Sequence, residues 1–150
     1  MPLQSITQLL SELLSDNYLS SLPPKSIDNT WIKETVIPNI NKHNLTHTDT
    51  LRTLVEYISI VICDNIRKSS SSVLVTGGGA YNTFMLETLK SKCASDSVDI
   101  IIPDTDLIDY KEAILIAYCA VLRLVKKPNF VSSATGASAD VVGGALYLPH

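Results

Sequence analysis

Cysteine pairs at metal-binding spacing are absent. Cys63, Cys93 and Cys119 lie far apart, with no Cys-x-x-Cys and no neighbouring histidine cluster, so a structural zinc site is not expected. An odd cysteine count on apolar flanks predicts reduced, buried thiols in a cytosol-like compartment. No long apolar run exists either. The longest uncharged stretch, Ala113 to Leu122, is roughly half of the ~20 residues a membrane span requires. Met1-Pro2-Leu3-Gln4 opens without basic residues, which predicts no secretory leader. Basic residues form no stripe: twelve Lys and Arg stand scattered against fifteen Asp and Glu. Nucleic acid and anionic membranes are therefore poor partners. His43, His47 and His150 have no metal spacing and read as surface residues.

What is present is one domain's worth of chain, residues 1–150, with 45% apolar residues and a mean hydropathy of +0.19. That argues for a packed core and against disorder. Leu3, Ile6, Leu9, Leu10, Leu13 and Leu14 predict a first helix over 3–14. Pro23 and Pro24 break regular structure. A weaker helix carrying Trp31, Ile32 and Val36 should stop near Pro38. Residues 47–67 predict the strongest helix, with Leu51, Leu54, Val55, Ile58, Val61, Ile62 and Ile66 inward and Thr46-x-x-Asp49 as a capping box. Ser69 to Ser72 is a surface connection.

The period then changes. Val73-Leu-Val75 predicts a strand, Thr76 to Ala80 a glycine turn, and Asn82 to Cys93 a helix with Phe84, Met85 and Leu89 inward. Val98 to Ile102 predicts a second strand, ended by Pro103. Together these form a βαβ unit with a parallel pair. Tyr110 to Val125 is apolar almost all round, which predicts a helix buried on most sides. Residues 126–144 read as largely irregular, and Ala145 to Leu148 as a last short strand. The fold class is α/β: a short, mainly parallel sheet flanked by helices.

The strongest chemical signal is the strand running into Gly77-Gly78-Gly79 and then a helix. Glycines permit close backbone approach and positive φ. The helix start offers N–H groups to a polar ligand. A ligand-free tight turn is the plain alternative. A P-loop is excluded because no Gly-Lys pair exists. A dinucleotide fingerprint is half met: Gly77-x-Gly79 fits, Asn82 stands where the third glycine belongs, and Asp99 sits near the start of its strand. Asp104 is closer to the strand end. Asn82 is read both as a ligand contact and as a helix cap. Thr135 and Ser138 are read equally as ligand contacts and as a plain turn.

Gly77-Gly-Gly-Ala-Tyr-Asn82 resembles the adenosine-side GGGAxN motif of the anhydro-N-acetylmuramic acid kinase family. Leu22-Pro-Pro-Lys-Ser26 resembles its PPKS segment, Ile108-Asp-Tyr-Lys-Glu-Ala113 its D-x-K-E-A helix start, and Ser133-Ala-Thr-Gly-Ala-Ser138 with Gly143-Gly-Ala145 and Tyr147 its C-terminal ending. The order and spacing agree over nearly the whole chain.

The resemblance implies a ribonuclease-H-like, actin-like ATPase lobe, with Mg2+ and ATP as cofactors. It implies 1,6-anhydro-N-acetylmuramic acid as the sugar, phosphorylated to N-acetylmuramic acid 6-phosphate in cell-wall recycling. It places Gly77, Gly78, Gly79 and Asn82 at the nucleotide. Glu112 would meet the sugar, although Asp109-x-x-Glu112 also reads as a capping box.

Family members are more than twice as long. Their Asp-Thr-Gly-Pro segment, which carries the general base, and their phosphate loop have no counterpart here. Ile27-Asp28-Asn29-Thr30 replaces the glycine and glutamate that usually follow PPKS. The chain resembles the C-terminal lobe alone: a truncated chain, a split-gene product or a degenerate relative. Two other classes stay open, a non-catalytic nucleotide-binding or interaction module and an NAD-binding fragment. A lobe without its partner is expected to form a homo-oligomer, in the cytoplasm.

Overall fold

The computed structural model describes residues 2–22, 26–66, 72–94 and 98–147. Pro23 to Lys25, most of the serine connection, Leu148 and His150 lie outside the described residues. The chain forms two compact units, residues 1–102 and 103–150.

The first unit is mostly helical. Helix α1 (Pro2–Leu14) buries Leu9 and Leu13 completely, each worth about 2 kcal/mol by area. A single helical turn, α2 (Asn17–Ser20), follows, capped by Asp16. It had no signal beyond that capping residue.

The next helix does not stop at Pro38. It runs as α3 (Asn29–Trp31), a π-helical turn (Ile32–Val36) and α4 (Ile37–Lys42). The reason is steric and electronic. In a continuous α-helix, Pro38 would lack its N–H and clash with the carbonyl one turn back. Here the Ile37 N–H reaches back to the Ile32 carbonyl, a five-residue step, and Pro38 then sits in the first turn of α4, where no donor is required.

Helix α5 (His47–Ile66) matches its expected span. Thr46 Oγ1 accepts from the Asp49 N–H at 3.1 Å and donates to Asp49 Oδ2 at 2.8 Å. Aspartate is one methylene shorter than glutamate, so it reaches the hydroxyl rather than the Thr46 backbone. The inward face differs from the expected one. Thr53, Tyr57, Ser59, Cys63 and Ile66 are buried, while Leu51 and Ile58 are exposed. The Thr53 hydroxyl satisfies itself on the Asp49 carbonyl at 2.7 Å. Tyr57 joins Leu9, Leu13 and Val36 in one core, and Cys63 and Ile66 join Leu89, Cys93 and Ile100 in another.

Strands β1 (Ser72–Leu74) and β2 (Asp99–Ile101) pair in parallel, with Val73 opposite Ile100. Helix α6 (Thr83–Cys93) connects them. The βαβ reading holds, and the α/β class with it. Within α6, Leu86 and Leu89 are buried and Phe84 is exposed, so Leu86 takes the inward place expected of Phe84.

Two further expectations are corrected. Cys63 and Cys93 are joined in a disulfide, and Cys119 alone lies outside it. The packing of α5 on α6 brings their Cα atoms to 5.8 Å, a proximity that sequence distance hides. The argument for a cytosol-like compartment from thiols alone therefore falls. His43 is not a surface residue: its side chain is 7% exposed, with Nε2 3.1 Å from Glu12 Oε2. That hydrogen bond holds the Glu12 carboxyl below the usual glutamate range.

The second unit holds α7 (Thr105–Leu124) and a short α8 (Ser132–Thr135). Helix α7 begins at Thr105 rather than Tyr110, and it is not buried on most sides. Ile108 is its one buried residue, and Ile114, Leu115, Ile116, Tyr118 and Val121 are all exposed. The segment that follows α7 within this unit is too short to surround a helix of that length. It fastens along one side instead. Asn129 Nδ2 donates to the carbonyls of Cys119 and Gly143, Asn129 Oδ1 accepts from the Gly143 N–H, and Arg123 Nε donates to the Gly144 carbonyl. Residues 145–147 form no strand. The pairing seen is a single antiparallel bridge between Phe130 and Val141.

Asp140 Oδ1 accepts from both the backbone N–H and the hydroxyl of Ser132, each at 2.7 Å. The backbone bond first, then the hydroxyl, holds this carboxyl below the usual aspartate range. A lowered folded-state pKa gives stability that is present above the unfolded value and lost as pH falls through the folded one. The melting difference between wild type and Asp140→Asn is thus expected to be constant at neutral pH and to shrink in acid, as read by melts across pH 2 to 7.

Candidate functional site

The site is built by the end of β1. The Val75 N–H donates to the Ile101 carbonyl at 2.9 Å, the last rung of the ladder. The chain then turns at Gly77, whose φ of +79° and ψ of −179° fall in a region open essentially to glycine alone. Gly78–Tyr81 makes one 3-10 turn, closed by the Ala80 N–H on the Gly77 carbonyl at 2.9 Å. Ala80 is buried and anchors the turn. Asn82 then caps α6, its Oδ1 accepting from the Met85 N–H at 3.0 Å. Of the two readings of Asn82, capping is the one the geometry displays. Asn82→Ala is expected to cost about 1 kcal/mol in urea unfolding, and Asn82→Asp to restore most of it.

The glycines differ in their surroundings. A Cβ placed on Gly77 or Gly78 would meet nothing within 4 Å. One on Gly79 would come within 3.0 Å of Met85 Cε. Open space therefore borders the first two. Beside the turn, α5 and the start of α6 enclose a groove of about 630 Å3. Leu51, Val55, Ile58 and Phe84 make it apolar, and Arg52 and Asn82 are among the polar groups at its edge.

Sequence reasoning placed Leu51, Ile58 and Phe84 in the core and so missed this groove. The available signal was the width of the apolar stripe on α5. It exceeds what α1 on one side and α6 on the other can cover, and Leu51, Val55 and Ile58 recur at i, i+4 and i+7 on the remaining face.

The structure brings Gly77, Gly78, Gly79 and Asn82 together in the first unit. Glu112 belongs to the second. It is exposed within α7, and the expected capping box does not form. Asp104 is the N-cap, its Oδ1 accepting from the Leu107 N–H at 2.9 Å. Pro103 ends β2 and Asp104 starts α7 directly after it, which leaves Asp109 and Glu112 inside the helix. The Thr135 hydroxyl donates to the Val131 carbonyl at 3.0 Å and accepts from the Ala137 N–H at 3.3 Å. Gly136, at φ +72°, ends α8. For Thr135 the turn reading is the one displayed. Asp99 pairs with Ser72 at the beginning of β2.

Comparison with known proteins covers nearly the whole chain. The family model for anhydro-N-acetylmuramic acid kinase matches residues 4–149. The anhydro-N-acetylmuramic acid kinase of Coxiella burnetii (strain Dugway 5J108-111) is 31% identical, over 93% of this chain and 39% of the relative. That of Mannheimia succiniciproducens is 29% identical, over 94% and 41%. That of a Synechocystis species is 29% identical, over 94% and 39%. The chain spans about two-fifths of the length of these curated relatives. With a match over nearly all its residues, this chain belongs to the anhydro-N-acetylmuramic acid kinase family.

Proposed function

We propose that this chain is the C-terminal, ATP-binding part of an anhydro-N-acetylmuramic acid kinase. Such an enzyme uses ATP to open 1,6-anhydro-N-acetylmuramic acid and phosphorylate its 6-oxygen. The observation that carries the reading is Gly77, held at positive φ between β1 and the capped start of α6, with open space beside Gly78. The fold we assign, residues 1–150 together, is a ribonuclease-H-like lobe. Gly77, Gly78 and Gly79 lie against the adenosine, and the apolar groove of Leu51, Val55 and Phe84 suits a flat nucleobase. Glu112 is assigned to the sugar.

Among the described residues, no three His, Cys, Asp or Glu side chains converge to hold a metal. This part of the chain does not fit a protein-built magnesium cage. Mg2+ is assigned to the nucleotide phosphates, its usual place in phosphoryl transfer. A kinase acts where ATP is held, hence a cytoplasmic protein. No helix among the described residues is long and apolar enough to cross a membrane. The exposed apolar side chains of α7 support self-association, which light scattering over a concentration series reads as a rising mass.

A second reading is a nucleotide-binding or interaction module that does no chemistry. The NAD reading is weakened because Asp104 already caps α7. Calorimetry with ATP, ADP and NAD tests all three. Binding of ATP and ADP with no heat from NAD supports the nucleotide site. Preference for NAD, or no binding of any of them, overturns it.

A further inference from the structure

We propose that Cys63 and Cys93 form a thiol–disulfide device that governs how firmly the glycine turn is held. Cys63 lies on α5 and Cys93 is the last residue of α6. Both are buried, at 1% and 0% exposure. Their Cα separation of 5.8 Å falls within the range a disulfide spans without backbone movement.

The position of the bond gives it its consequence. Its two cysteines are 30 residues apart in sequence, and the segment between them contains β1, Gly77 to Gly79, Asn82 and all of α6 before its final residue. The whole glycine turn, Gly77 to Gly79, and Asn82 lie inside one covalent loop, with Leu51 and Val55 of the groove outside it. Val73 and Val75, which feed the turn, pack against the same cluster that holds the two sulfurs. Closing the loop removes open conformations of this segment. Opening it leaves two buried thiols, which pack as small apolar side chains, so the fold accepts both states and differs in how readily the segment opens.

The exchange balances with a small disulfide oxidant such as oxidised glutathione. One cysteine thiolate attacks the oxidant and releases a first small thiol. The second attacks the mixed disulfide, forms the Cys63–Cys93 bond and releases another. Two electrons and two protons leave with the small thiols. Burial shields both sulfurs, so exchange runs through local opening of the unit and is slow once it is folded.

The structural claim stands on the cysteines alone. Its effect on ligand rests on the nucleotide reading above. The test uses the whole chain, equilibrated with oxidised glutathione or with dithiothreitol. Alkylation under denaturing conditions followed by mass spectrometry should label Cys119 only in the first sample and all three cysteines in the second. Amide exchange over residues 76–82 should be roughly tenfold or more faster in the reduced chain. Its melting temperature should be roughly 10 °C lower. Cys93→Ala should behave as the reduced form under both conditions. Reduction that unfolds the chain overturns the proposal, because the bond would then be a requirement of the fold and not a device that tunes one segment. Three labelled cysteines after oxidation, or equal exchange in the two states, overturns it. ATP titration of both samples separates the two claims: if neither binds ATP while exchange still differs, the nucleotide reading fails and the redox device remains.

Discussion

Valine at position 78 is expected to weaken ATP binding roughly tenfold or more and to leave folding stability nearly unchanged. A Cβ on Gly78 meets no protein atom within 4 Å, so the branched side chain enters open space. On the proposed function, that space is where the nucleotide approaches the turn. Overpacking typically costs about 1–3 kcal/mol, and about 1.4 kcal/mol is a factor of ten in affinity. The neighbouring glycines are poorer probes. Gly77 is held at φ +79°, where a side chain costs about 1–3 kcal/mol in strain whatever the ligand does. Gly79→Val would displace Met85 and disturb the start of α6. Calorimetry and thermal melts of wild type and Gly78→Val decide the matter. Equal affinity with equal stability would remove the turn from the nucleotide site.

The purified chain on its own is expected to transfer no phosphate to 1,6-anhydro-N-acetylmuramic acid. Phosphoryl transfer needs a placed base, a metal and contacts to the transferred group. No Asp-Thr-Gly occurs in the sequence, and the described residues offer no converging set of carboxylates. Binding therefore separates from turnover in this chain: ATP should give heat in a calorimeter and no sugar phosphate in a coupled assay. Sugar phosphate formed by protein free of host kinase would show that this length of chain carries the whole catalytic apparatus.

Local chemistry was legible where neighbours in sequence are also partners in space. The glycine turn, the Thr46 cap and the span of α5 depend on residues a few positions apart, and the parallel pair follows from the strand–helix–strand order even though its partners are far apart in sequence. The cap of α7 was misplaced because two aspartates compete at the same spacing. Asp104 wins over Asp109 because it directly follows Pro103, where the strand has already ended. What could not be read locally depends on which surfaces meet. Helix periodicity marks Leu51 and Ile58 as apolar, yet only the arrangement of α1, α5 and α6 decides that Tyr57 and Thr53 go inside. The Cys63–Cys93 bond belongs to the same class, since helix packing rather than spacing creates it. For the nucleotide residues, Gly77 was marked by composition, and the groove beside it required the tertiary arrangement.

The π-helical turn ahead of Pro38 also acts as a phase shifter. Each residue of an α-helix advances the side-chain direction by about 100°, so Trp31 and Val36, five apart, would point well away from each other on a regular helix. One wider turn retards the rotation and returns them to a common side. Trp31 and Ile40 pack against the same cluster that buries Val36, although their spacing fits no single helical period. A segment that looks weakly amphipathic on a regular wheel thus turns Trp31, Val36 and Ile40 to the core, with Ile32 and Ile37 left exposed. Its resistance to change lies in residue number as much as in residue type: adding one position between Ile32 and Val36 would swing Val36 and Ile40 off the core with no hydrophobic residue lost, whereas removing one would leave Trp31 and Val36 a single ordinary α-helical turn apart, on the same face.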